Sequence, residues 1–410
     1  MTKITLLKSA LVGLFSAFVL GGFSGVVSAA EAIKVGVALP MTGPYAGDGV
    51  GYDRGITMAV DEVNAAGGLL GRPLEMVRFD TQDFAPELVM RAADQLVGND
   101  KVDVVHGGWA GWGQDVVAYG KYDVPFFMWD ASILAIEEIR KDPVQHSNVF
   151  QLNDIEKPQA IDIFDNMLSL PYEYPNKTVA VITADDSWGT EMGSGIKERA
   201  AELGWEVVVD EVVPYGTREW GPILTKIRAT SPGWIHLEIV SSPDLITFFN
   251  QFNESPTNTL ISMGYGLSLP DFASNIGEQG DGLIGMTAGM PMPVGPTPEA
   301  NAWIERFREK FEAEPAAGSF PVYTGVIIWA SAVEAVGDPT NYEAINDYIA
   351  NTPHETVVGT WTFDADHKVP LSSEPVLHLQ IQDGKAVTID WGAGQPYLDY
   401  EFRTPPWIKQ

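Results

Sequence analysis

One unit recurs along this chain: an apolar strand, a turn carrying Gly or Asp, then an amphipathic helix. Residues 34–40 read as a strand. Residues 51–66 follow with Ile56, Ala59, Val60 and Val63 at i, i+3, i+4 and i+7. That spacing places four apolar side chains on one helical stripe. Gly67 and Gly68 end the helix. Further strands are predicted at 74–80, 102–106, 124–129, 179–184, 206–213, 234–240, 260–263 and 283–287. Helices are predicted at 86–97, 114–121, 157–168, 191–203, 220–229, 243–252, 299–311, 322–336 and 342–350. Trp303, Phe307 and Phe311 form a stripe at helical spacing and are read as core. Short, near-continuous apolar strands alternating with helices imply an α/β fold with parallel sheets covered on both faces.

So many strands exceed one comfortable open sheet. At 410 residues the chain is also longer than one ordinary domain. Two α/β lobes satisfy both constraints. Ligands in such folds bind beyond the carboxyl ends of the strands. Two facing lobes let both sets of strand ends line one cleft.

The first thirty residues stand apart. Lys3 and Lys8 give a basic start, an apolar run spans 10–22, and Val27-Ser28-Ala29 offers a small-x-small cleavage site. The run falls short of the roughly 20 residues a membrane span needs. Residues 1–30 are therefore read as a secretory signal peptide, and the mature protein as periplasmic and not membrane-spanning. There is no cysteine, which excludes a lipidated cysteine, a thiol nucleophile, thiolate metal sites and disulfides. Asp and Glu outnumber Lys and Arg by 55 to 25, a net charge of −30. Nucleic acid and anionic membrane are excluded as partners on that balance.

The run Asn64-Ala65-Ala66-Gly67-Gly68-Leu69-Leu70-Gly71-Arg72-Pro73-Leu74-Glu75, with the strand at 33–44 before it, resembles the start of the branched-chain amino acid and amide binding proteins of ABC importers. Asp80-Thr81-Gln82, Val124-Pro125, Val149-Phe150-Gln151, residues 179–186 and Gly359-Thr360-Trp361-Thr362-Phe363-Asp364 continue the resemblance. It implies a type I periplasmic binding protein of the Leu/Ile/Val-binding family: two Rossmann-like lobes hinged by three crossovers. Lobe one would hold 31–151 and 288–355, lobe two 152–287 and 356–400, with 401–410 as a tail. It further implies a monomer that delivers a small molecule to ABC transporter permease subunits, without a cofactor or metal.

The departures from the family fall where its ligand binds. Family members hold a ligand carboxylate on a Ser/Thr-rich turn after the third strand. Here that turn reads Gly107-Gly108-Trp109-Ala110-Gly111-Trp112-Gly113-Gln114, without hydroxyls and with two tryptophans. The next turn, Met128-Trp129-Asp130-Ala131-Ser132, keeps a small residue and a hydroxyl but adds Trp129 and Asp130. Where a Tyr-Gly often faces the ligand stands Trp188-Gly189, after Asp185-Asp186. The family glutamate that pairs with an amino group belongs near Gly264-Tyr265-Gly266, and no acid is there. Tyr45 and Asp48, on the first turn, are placed at the cleft edge. The expected ligand residues are therefore Tyr45, Asp48, Trp109, Trp112, Gly113, Trp129, Asp130, Ala131, Ser132, Asp185, Trp188 and Tyr265.

Two readings of this set compete. One is an aromatic cage around a quaternary or substituted ammonium, with Asp130, Asp185 or Asp186 as counter-charge. In the other, the rings wall or stack on a flat amide, urea-like, aromatic or amino acid ligand. No catalytic motif competes with binding. The six histidines are scattered without metal-ligand spacing, and no nucleophile elbow or Walker loop occurs. His106 and His236 are read as satisfied core residues. A two-lobed body of this kind also serves as a ligand sensor for a receptor kinase, which the sequence does not separate from import.

Overall fold

The computed structural model describes residues 31–43, 45–83, 85–108, 113–269, 272–288, 297–373, 376–390 and 400–409. The alternating pattern builds β1 (Ile33–Leu39), α1 (Ala46–Ala65), β2 (Leu74–Asp80), α2 (Pro86–Ala93), β3 (Val104–Gly107), α3 (Gln114–Tyr119), β4 (Phe126–Met128), α4 (Ile133–Lys141) and β5 (Val149–Gln151). These strands form one parallel sheet in the order β2-β1-β3-β4-β5. The helix predicted at 86–97 is present but widens into a π turn over Asp94–Asn99. Helix α4 was not predicted from the sequence. Its N-cap, Ser132, accepts from the Ala135 N–H at 3.3 Å, a local start signal.

The chain then crosses to a second sheet through α5 (Glu156–Ser169), β6 (Thr178–Ala184), α6 (Ser187–Glu202), β7 (Glu206–Val213), α7 (Gly221–Thr230), β8 (Trp234–Glu238), α8 (Ser242–Asn253), β9 (Leu260–Met263), α9 (Phe272–Ile276) and β10 (Ile284–Ala288). It returns to the first sheet with α10 (Pro298–Phe311), α11 (Ser319–Val336) and α12 (Tyr342–Asn351), and makes a hairpin of β11 (His354–Thr356) and β12 (Gly359–Trp361). It ends on the second sheet with β13 (Val376–Gln382), β14 (Lys385–Asp390) and β15 (Tyr400–Glu401). The second sheet runs β15-β14-β13-β10-β9-β8-β6-β7. Parallelism, expected throughout, stops at β10: the β10–β13 and β13–β14 pairs are antiparallel. A two-residue Asp383-Gly384 turn, both residues at positive φ, makes that hairpin.

Each sheet has its own core, as two lobes require. The first gathers Val35, Val37, Ile56, Phe127 and Phe150 with Trp303, Phe307 and Trp329. Trp303 and Phe307 are fully buried with ring centroids 5.4 Å apart, so the stripe at 303–311 is core as expected. Helix α11 is apolar enough to cross a membrane by length and composition, yet most of it is packed inside the lobe. It crosses α1 closely: a Cβ on Gly55 would lie 2.1 Å from the Ser319 carbonyl oxygen. The second core is built on Ile182, Ile235, Leu237, Phe248, Phe249 and Leu379.

Two segments pack differently from the sequence expectation. Val358, Trp361, Phe363 and Val369, assigned to lobe two, join the first core because the β11–β12 hairpin lies against α11, with Phe320 and Trp361 rings 5.9 Å apart. The expected tail is docked: Trp407 is buried against Phe249 and donates its indole N–H to the Thr259 carbonyl at 2.9 Å. Between the lobes, the segments after β5 and β12 are tied by an ion cluster. Lys368 Nζ lies 2.7 Å from Asp154 and 3.0 Å from Asp364, and Asp154 also accepts from the Leu371 N–H.

Candidate functional site

Parallel strands end on the same side of a sheet, so their following turns cluster there. In the first sheet these ends are Leu39, Gly107, Met128 and Gln151; in the second, Ala184, Glu238 and Met263. The first turn is held by Asp80 at the end of β2. It accepts from the Met41 and Thr42 N–H groups at 2.9 and 3.2 Å and from the Thr42 hydroxyl at 2.6 Å. That fixes the entry to α1, which carries Tyr45 as its N-cap and Asp48 in its first turn.

The two ends meet through a row of rings. Tyr52 of α1 stands edge-on to Trp129, centroids 5.5 Å apart. Trp129 reaches Tyr265 of the second lobe at 6.3 Å, and Tyr265 meets Trp188 edge-on at 6.1 Å. These separations suit the offset and T-shaped contacts aromatic rings prefer. The Asp48 carboxylate and the Tyr52 hydroxyl lie against the Tyr265 hydroxyl, and burial together with the Asp48 charge holds that phenol well above its usual range. Trp129 and Tyr265 are sequence-expected residues that the fold brings together from sites 136 positions apart.

Carboxylates surround this row. Asp130 is buried and accepts from the Ala131 N–H at 2.8 Å; Ala131 is buried beside it, and the Ser132 hydroxyl is engaged as the α4 N-cap. Glu156, the first residue of α5, is 1 % exposed and accepts from the Ile133 N–H at 2.8 Å through Oε2. Burial, then the charges of Glu191 and Asp186, push its pKa up to about 7. Asp186 caps α6, accepting from the Gly189 N–H and the Tyr215 hydroxyl, both at 2.6 Å. It also raises the nearby Tyr45 phenol, behind the larger effect of burial. Tyr45 of the first lobe and Asp186 and Tyr215 of the second thus form a second meeting point between lobes. Asp185 is exposed beside it, so of the acid pair Asp186 faces the other lobe.

Glu238, at the end of β8, is fully buried. Its Oε1 lies 2.7 Å from His236 Nε2, and His236 Nδ1 lies 2.7 Å from the Ser262 hydroxyl, which accepts from the Trp234 indole. His236 is therefore a satisfied core residue, as expected. His106 is not. It is buried against Phe127 with neither ring nitrogen hydrogen-bonded, and burial pulls its pKa down to about 3.

Gly113 is buried at φ +93 before α3, where a Cβ would press on the Leu134 carbonyl. Trp109 and Trp112 lie outside the described residues. Glu156, Glu238, Tyr52 and Tyr215 were missed by sequence reasoning. For Glu238 a signal existed: His236 and Glu238 share one face of an otherwise apolar central strand, and buried ionisable groups in such places demand a reason. Tyr52 reads as ordinary helix core, and Glu156 as an ordinary helix start.

Residues 32–385 match the family of periplasmic binding proteins. The chain belongs to that family. This periplasmic binding protein is 24% identical, over 86% of its length and 91% of the relative's, to the leucine-, isoleucine-, valine-, threonine- and alanine-binding protein of Pseudomonas aeruginosa. Its structure is similar to a Silicibacter pomeroyi protein assigned to a branched-chain amino acid ABC transporter, at TM-score 0.83 and 26% identity, covering 92% of this chain and 100% of that one. It also shares its fold with an R. palustris ABC transporter solute-binding protein solved with benzoate, at TM-score 0.71 and 20% identity, covering 87% and 95% of the two chains. The family binds small molecules for ABC transporters and works with permease subunits; it is a solute-binding family and not an enzyme family.

Family membership sharpens one feature of this binding protein. No acid stands in the turn at Gly264, but the Glu238 carboxylate packs directly on it. A Cβ on Gly264 would lie 2.0 and 2.3 Å from the two Glu238 carboxylate oxygens. Gly264 is the residue that leaves room for this carboxylate of the neighbouring strand.

Proposed function

We propose that this protein is exported by a cleaved signal peptide, captures a small cationic solute between its lobes, and delivers it as a monomer to an ABC importer. The supporting observation is the ring row Tyr52–Trp129–Tyr265–Trp188, which spans the facing strand ends and is flanked by Asp48, Asp130, Glu156, Asp186 and Glu238. Indole faces attract cations by about 0.5–2 kcal/mol each, more when desolvated. The surrounding acids supply counter-charge, and among the described residues no Lys or Arg pairs with Glu156, Asp186 or Glu238. Tyr45, Gly113, Ala131, Ser132 and Asp185, with Trp109 and Trp112 from the turn before α3, complete the proposed lining. Lobe separation about the Asp154–Lys368–Asp364 cluster opens the cleft.

A flat ligand stacked on the same rings is the second reading, and the benzoate held by the R. palustris protein favours it for the fold. A sensing partnership with a receptor kinase would use the same cleft. A thermal-shift screen of the mature protein decides the ligand class. Amines and quaternary ammonium compounds should raise the melting temperature, while leucine, benzoate and urea should not. Stabilisation by benzoate or leucine alone would overturn the cationic reading. Trp188→Ala should weaken amine binding by about 1–3 kcal/mol; an unchanged affinity would remove Trp188 from the site.

A further inference from the structure

Two buried carboxylates in this cleft are each half-used. Glu156 spends Oε2 on the Ile133 N–H, and its Oε1 has no hydrogen-bond partner among the described residues. Glu238 spends Oε1 on His236, and its Oε2 has none among the described residues. Their side chains are 1 % and 0 % exposed. A buried carboxylate oxygen without a donor is costly, because desolvation is not offset. Native proteins keep few such groups, and each is completed by an ordered water, an ion or a ligand, or is retained for a functional role.

The two acids come from different places. Glu156 opens α5 and is tied to the first lobe through Ile133, whereas Glu238 ends β8 in the middle of the second sheet. Glu238 packs on Gly264, the residue before Tyr265, and Glu156 binds the Ile133 N–H, four residues after Trp129, so the two acids approach the row of rings from different segments; each is also within reach of the Asp186 charge. The rings of Tyr265 and Trp188 stand in that region, Tyr265 following Gly264 directly and Trp188 two residues after Asp186. A single ammonium satisfies one of the open oxygens and leaves the other bare beside a like charge. A divalent metal ion fits poorly, since no group of three or more His, Asp or Glu among the described residues is arranged to hold one.

We infer that the solute is a dication of the aliphatic diamine class, with one ammonium donating to Glu156 Oε1 and the other to Glu238 Oε2 while its methylene chain lies along Tyr265 and Trp188. This rests on the cationic reading of the cleft and narrows it. Each charge-assisted contact is also about twice as strong as a neutral one.

The test is calorimetric titration of the mature protein with 1,4-diaminobutane, butylamine, tetramethylammonium, leucine and calcium chloride. The diamine should bind at least about tenfold more tightly than butylamine. Glu156→Gln and Glu238→Gln should each abolish that preference, leaving diamine and monoamine within about threefold. Gln keeps an acceptor for Ile133 or His236, and unligated melting curves verify that both variants fold. If either variant fails to fold, the diamine-to-butylamine ratio in the unsubstituted protein decides alone. Equal affinity for diamine and monoamine, or tighter binding of tetramethylammonium or calcium, overturns the diamine while sparing a cationic site. Binding of leucine with no binding of any amine overturns both.

Discussion

Glu156 is an acid whose folded state resists ionisation. Its pKa rises from 4.5 to about 7. A raised carboxyl pKa means the folded protein holds its proton longer than the unfolded chain does. The cost of ionising it is therefore absent below pH 4.5, grows between 4.5 and 7, and is complete above 7. At 1.36 kcal/mol per pKa unit the penalty is about 3 kcal/mol. Urea denaturation of the unligated protein should show Glu156→Gln gaining stability relative to the parent across that window, by up to this amount, and matching it below pH 4.5. A difference that is constant with pH would refute the assignment. Because a bound cation favours the ionised carboxylate, amine affinity should also fall as pH drops below about 7, and Glu156→Gln should flatten that dependence.

Burial at this scale was only partly legible. The sequence marks Trp129, Trp188 and Tyr265 because they interrupt turns of a recognisable pattern. It says nothing of Glu156, whose significance comes from the Ile133 N–H that it meets and the oxygen left over. Asp185 and Asp186 look equivalent in sequence. Their difference arises because Asp186 caps α6 and receives the Tyr215 hydroxyl, while Asp185 turns to solvent.

Among elements, the α1–α11 crossing carries much of the first lobe's packing. Gly55 lets the helices approach, its added Cβ lying 2.1 Å from the Ser319 carbonyl oxygen, and Gly51 makes room for the segment entering α11, its added Cβ lying 2.4 Å from the Ala316 Cβ. The Ser319 hydroxyl donates to the Gly51 carbonyl at 2.9 Å across the same contact. Gly55→Ala should destabilise the protein by about 1–3 kcal/mol, the usual range for overpacking. The check is the urea midpoint at unchanged slope; a neutral or stabilising result, expected of Gly→Ala in an exposed helix, would mean the helices separate freely. The strand–helix rhythm was legible here because period-2 and period-3.6 patterns report which face is covered. The antiparallel β13–β14 pair escaped because its strands follow no helix and obey no βαβ rhythm. Helix α4 escaped although Ser132 offers an N-cap before it and Ile133, Ile136 and Ile139 recur at helical spacing.

For the whole molecule, the charge of −30 and the acids of the cleft act in the same direction on a cation. Surface charge steers and is screened within about 8–10 Å at physiological salt, whereas the buried pair is screened less. Amine association rates should fall several-fold between low and 0.5 M salt, as stopped-flow fluorescence of the cleft tryptophans would read. A salt-independent rate would argue against a cationic ligand. Saturation at 100 times the dissociation constant should add about 2.7 kcal/mol to stability. Closure on the ligand should lower the radius of gyration in small-angle scattering.

By itself the sequence determined the alternation of strands and helices, the α/β class, the need for two lobes and the turns that follow the strands. These follow from short-range periodicity and from turn residues, which are local properties. Only the tertiary structure decided what each buried acid meets, because that depends on segments far apart in the chain. Glu238 fills the space left by Gly264, Glu156 binds the start of α4, and Asp48 meets Tyr265 across the lobes. A sequence pattern records the face a side chain occupies; what lies against that face, and whether a buried oxygen finds a donor, is fixed only when the sheets are assembled.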